Sequence, residues 1–97
     1  MTHYVAIVED AGPTTAAGIW FPDLPGCFAA GDDVDEALRH APEAIGLFAE
    51  ALEAQGKALP AARSLSELRR DPAIADDLRQ HLVALVSFPA GSREAAE

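Results

Sequence analysis

At 97 residues the chain has the length of one domain with a limited core. Sixteen acidic residues against seven basic ones leave a formal net charge of −9. That balance speaks against nucleic acid or an anionic membrane surface as partner and for a basic one, although solubility alone also favours an acidic surface. The 49% hydrophobic and 24% charged content is that of a folded globular chain.

The first predicted element is a strand over 3–9, HYVAIVE, rich in β-branched and aromatic residues and closed by the turn residues Asp10-Ala11-Gly12-Pro13. A second strand over 15–21, TAAGIWF, makes a hairpin with it. Pro22, Asp23, Pro25 and Gly26 form the next turn. A short strand over 27–30, CFAA, follows, so the three make an antiparallel meander. Trp20 and Phe21 are adjacent and must point to opposite faces.

Gly31, Asp32 and Asp33 mark a second turn, where Asp33 is the expected N-cap and Glu36 its capping-box partner. Val34, Leu38, Ala41, Ile45, Phe48 and Leu52 recur at helical spacing, which predicts one long helix ending before Gly56. Pro42 falls inside it and predicts a kink. Ser64 is placed to cap a short helix that ends before Asp71-Pro72, and a further helical turn or two is expected over 73–80. Residues 82–88, LVALVSF, are apolar almost throughout, a pattern that suits a strand buried on both faces and often a parallel one.

The expected fold class is α+β in the order β-β-β-α-β. The fourth strand returns beside the first and parallel to it, with one long helix on one face. Residues 1–88 form the domain and 89–97 a frayed tail. One helix cannot cover two apolar sheet faces, so a self-partner or another protein is expected to cover the second or part of it, with the short helices after residue 64 able to supply part of that cover.

No constellation for catalysis stands out. The acidic candidates for a metal-dependent nuclease are Glu9, Asp10, Asp23, Asp32, Asp33 and Glu43, yet most lie in turns where Asp serves the backbone. His3, His40 and His81 lack any metal-ligand spacing, and His40 is expected to form a solvated pair with Glu36 or Glu43. The lone Cys27 reads as buried packing. We expect no cofactor and no metal. The N-terminus lacks the features of a signal peptide, and no apolar run approaches the ~20 residues that span a bilayer. A soluble, cytoplasmic protein is expected.

Several segments together resemble the HicB-like antitoxins of prokaryotic toxin–antitoxin systems. They are the strand HYVAIVE, the segment FPDLPGCFAAGD, the helix start DVDEAL with EAIGLFAEAL, and the connector LP at Pro60. The resemblance implies a truncated ribonuclease H-like fold without nuclease chemistry. It also implies a non-enzymatic antitoxin that neutralises a small basic HicA-like mRNA interferase toxin by steric occlusion. Many members append a DNA-binding domain; nine residues after residue 88 are too few for one, so no direct DNA binding is expected. The residues proposed to meet a partner are Trp20, Phe21, Asp23, Phe28, Asp32, Asp33, Asp35 and Glu36. A homo-oligomer, dimer or tetramer, is expected besides. The alternatives are a stand-alone homo-oligomer without a cognate toxin and a residual metal-dependent nuclease.

Overall fold

A computed structural model describes residues 2–10 and 16–88. The elements run β1 (Thr2–Asp10), β2 (Ala17–Trp20), β3 (Phe28–Gly31), α1 (Val34–Ala54), α2 (Leu65–Arg69), α3 (Ala75–Gln80) and β4 (Leu82–Phe88). This is the α+β order read from the sequence. The first hairpin loop and the predicted tail lie outside the described residues.

The sheet has the order β3-β2-β1-β4. The meander is as expected, with Ile7 opposite Trp20 and Trp20 opposite Phe28. The fourth strand does lie beside the first, but it runs antiparallel, Val8 facing Leu82 and Thr2 facing Phe88. The expectation of a parallel return assumed a single passage along the sheet. α1 starts beside Gly31, at the end of the sheet where Asp10 pairs with Ala17, and its 21 residues carry the chain to the other end. Residues 55–81, which include α2 and α3, then bring the chain back before β4 begins. Two passages reverse the strand.

Strand order also decides burial. Tyr4 to Val8 of β1 are all buried, because β1 has neighbours on both sides and cover on both faces. β4 is an edge strand, and of its apolar run only Val86 is buried while Leu82 and Leu85 stand exposed. The continuous apolar pattern therefore misassigned β4; the doubly buried strand is β1.

α1 covers one face through Ala37, Ala41 and Ile45, with Val34, Leu38, Ala44 and Phe48 packed alongside. Facing them are Tyr4, Ala6 and Val8 of β1, Ala17 and Ile19 of β2, Ala29 of β3 and Val86 of β4. The helix runs through Pro42 as one element, at the cost of the hydrogen bond that a residue 42 N–H would make. Asp33 is the N-cap, its carboxylate accepting from the Glu36 N–H at 2.8 Å. Glu36 reaches back one residue further than the expected capping box, to the Asp32 N–H at 2.6 Å. At the other end Gly56 has φ +74°, with Lys57 N–H bonded to Leu52 O and Gly56 N–H to Glu53 O. That is a Schellman termination, which favours glycine at this position. Ser64 and Glu67 form a full capping box on α2.

Candidate partner-binding site

Register sorts the side chains of the sheet into two sets. Residues paired across strands share a face, so Ile7, Trp20 and Phe28 stand together on the side opposite α1. Val5 and Ile7 are buried there, which confines the bare apolar surface to the flanks. Phe28 is 69% exposed on one flank and Leu85 63% exposed on the other. Trp20 is half-buried and Phe21 points the other way, into the core beneath α1. The opposite-face reading of the Trp-Phe pair therefore holds, and only Trp20 and Phe28 of the three aromatics are open to a partner.

The Pro/Gly turn is built inward. Leu24 N–H bonds to Phe21 O and Cys27 N–H to Leu24 O, each at 3.0 Å, and Gly26 takes φ +94°. Phe21, Leu24 and Cys27 are all buried. Burial pushes the Cys27 thiol above its ordinary range, which leaves little thiolate.

Asp23, one of the proposed partner contacts, is directed at the chain itself. Its side chain is 7% exposed and accepts from both the backbone N–H and Nε of Arg63, each at 2.7 Å. Arg63 Nη1 continues to Asp71 Oδ2 at 3.1 Å. Asp23 and then Asp71 hold the guanidinium above its ordinary range. The Ala73 N–H and then Arg63 hold the Asp71 carboxyl below the usual carboxylate range. This clamp ties the turn to the connector beyond α1. Beside it the Tyr4 hydroxyl donates to Pro60 O at 2.7 Å, and burial first, then Asp23, raises the phenol.

The acidic group at the start of α1 is divided in its duties. Asp33 and Glu36 serve the cap, while Asp32 and Asp35 are exposed. His40, expected in a solvated pair, instead donates through Nδ1 to Ala30 O at 2.7 Å, pinning the helix to β3. Among the described residues no three His, Cys, Asp or Glu side chains are grouped to hold a metal ion. Among the same residues no helix is long and apolar enough to cross a membrane.

One participant was singled out in the sequence only as a nuclease candidate. Glu9 stands on the face opposite α1 and its Oε2 accepts from Trp20 Nε1 at 2.8 Å, with His81 Nε2 at 3.9 Å. A shallow cavity of about 350 Å³ opens beside it, lined by Glu9, Gly18, Ile19, Trp20, Phe28 and Ala29. Eleven residues separate Glu9 from Trp20 in the chain. Only the hairpin register brings them together, so no local motif could have marked them.

Known proteins place this architecture. The profile of the HicB-like antitoxins of bacterial toxin–antitoxin systems matches residues 4–90. An uncharacterized 14.9 kDa protein of Haemophilus phage HP1 is 36% identical over 55 residues, 57% of this chain and 41% of that one. The antitoxin HicB of Burkholderia pseudomallei superposes with a TM-score of 0.66 at 27% identity, over 91% of this chain and 62% of that chain. Its separately solved N-terminal domain gives the same TM-score at 26% identity, over 89% of this chain and 96% of the domain. A toxin–antitoxin complex from Streptococcus pneumoniae shares the fold, with a TM-score of 0.62 at 21% identity over 95% of this chain and 70% of that one. The chain thus spans less than two thirds of the phage protein and of the full Burkholderia antitoxin. With that profile matching residues 4–90, most of its length, the chain belongs to the HicB-like antitoxin family.

Proposed function

We propose that this chain is the toxin-binding domain of an antitoxin and that it neutralises a small basic ribonuclease of HicA type by covering its RNA-binding surface. The observation that carries this reading is the β2–β3 flank of the sheet face opposite α1. There the half-buried Trp20 and the exposed Phe28 stand beside the Glu9 carboxylate, on a chain of net charge −9. Aromatic anchors next to carboxylates are what a cationic protein surface pairs with. The exposed Asp32 and Asp35 add to the field that steers such a partner in. No DNA-binding role is proposed, since the same charge repels phosphate.

Co-expression with a small basic HicA-type ribonuclease encoded beside its gene tests this. The chain is expected to restore growth and to co-purify with that product, with Phe28→Ala weakening capture at least tenfold. Absence of both rescue and capture would overturn the reading. A nuclease reading fares worse, because Asp23, among the acidic candidates, is already neutralised by Arg63.

Self-association is a second proposed role, favoured by Leu82 and Leu85 on the exposed edge strand β4. Leu85→Lys is expected to lower the mass seen by sedimentation without lowering the melting temperature. Equal masses for the two proteins across micromolar concentrations would count against it. Phe88 is a poor probe of the same edge, because its ring packs on the core beside Gly46.

A further inference from the structure

Gly18 is the unusual feature of the face opposite α1. A glycine inside a strand weakens it and often marks a site where something approaches closely. Here a Cβ built on Gly18 would meet nothing within 4 Å. Register sets Gly18 between Glu9 and Ala30, so the empty space is the floor of the cavity that Glu9, Trp20 and Phe28 surround. No packing reason keeps a side chain out.

The walls have a consistent chemistry. Glu9 Oε2 is taken by the indole N–H of Trp20 and neighboured by His81, and Oε1 has no partner among the described residues. The indole hydrogen bond fixes both the carboxylate and the ring, so neither has to be ordered when a ligand arrives. An aromatic ring beside a free carboxylate oxygen attracts a cation flanked by methylenes, through the ring's quadrupole and the negative charge together. An anion would be repelled by Glu9, and a neutral apolar group would strip water from a carboxylate without compensating it.

We infer that the cavity over Gly18, walled by Glu9, Trp20 and Phe28, is a receptor for a single arginine or lysine side chain of a partner protein. It deepens the toxin-binding reading by naming the anchor, but its test needs no toxin. The chain has one tryptophan, so its indole N–H gives one resonance in the spectrum of 15N-labelled protein. That resonance reports on the pocket itself. Titration with acetyl-Gly-Arg-Gly-amide is expected to move it saturably, with a dissociation constant on the order of 10 mM. The lysine peptide is expected to act similarly or more weakly, since Arg alone offers a planar fork to Glu9. The citrulline peptide, of the same shape without the charge, is expected to move it at least fivefold less.

Two variants locate the effect. Gly18→Val fills the floor and is expected to abolish the saturable shift while melting no lower than the parent chain, because valine suits a strand and its Cβ meets nothing within 4 Å. Glu9→Gln keeps an oxygen for the indole N–H and removes the charge; it is expected to weaken arginine at least fivefold. Should Gly18→Val fold poorly, Glu9→Gln decides. Equal responses to arginine and citrulline, or an arginine response undiminished in Glu9→Gln, would overturn the inference. A pocket that answers arginine in a chain that rescues no toxin keeps the inference and removes only the toxin reading.

Discussion

Gly31→Ala is expected to cost at least about 3 kcal/mol of stability, at or beyond the usual range for overpacking. A Cβ at this position would lie 2.5 Å from Ala37 N and 2.8 Å from the carbonyl carbon and Cβ of Glu36. Two of these three atoms are helix backbone in the first turn of α1, so no side-chain rotation relieves the clash. β3 would have to lift from the helix, and both the His40 bond to Ala30 O and the Asp33 cap depend on that junction. For a domain of this size each kcal/mol moves the melting temperature by roughly 4–8 °C. A fall of at least about 12 °C in a circular-dichroism melt is therefore expected. A melting temperature within about 3 °C of the parent would show that the close approach of β3 and α1 is not what the structure has it to be.

The second large effect is expected at Asp23. Asp23→Ala removes a nearly buried carboxylate that accepts two hydrogen bonds from Arg63, leaving the residue 63 N–H without its acceptor. The loss falls on the part-buried residue 63 N–H, left without an acceptor, because the Arg63 guanidinium is 40% exposed and keeps Asp71. About 2–3 kcal/mol should be lost in denaturant unfolding, with an unchanged m-value. Asp23→Asn, which keeps one acceptor oxygen, should fall between. If instead Asp23→Ala is as stable as the parent but fails to bind a basic partner, Asp23 is a contact residue and the clamp is incidental. The clamp also carries a pH signature. The folded Asp71 carboxyl lies below its ordinary range, so the unfolded chain binds its proton first as pH falls. Its contribution is complete above the unfolded carboxylate pKa near ~3.9 and is lost as pH falls through the folded value.

Particular residues show how far the sequence could be read. Asp33, Gly56 and Ser64 were legible because caps are local: each acts on atoms within a few residues of itself, and the structure has all three in those roles. The helical stripe through Ala41 and Ile45 was legible for the same reason, a fixed period along one element. The direction of β4 was not, because it depends on how residues 55–81 travel, and no local pattern records that. His40 was misread from its helix neighbours, since its acceptor, Ala30 O, belongs to another element. Asp23 has the composition of a surface turn acid, and only Arg63, forty residues on, turns it inward.

By itself the sequence determined the order and kinds of the elements, their caps, the acidic character and the family. Those properties are written in short-range spacing and in totals over the chain. The tertiary structure alone decided that β4 is an antiparallel edge, that Asp23 faces the core and that Glu9, Gly18, Trp20 and Phe28 share one cavity. The physical reason is common to all three. Each is a pairing between distant segments, and its geometry follows from strand order and register, which a one-dimensional pattern leaves open.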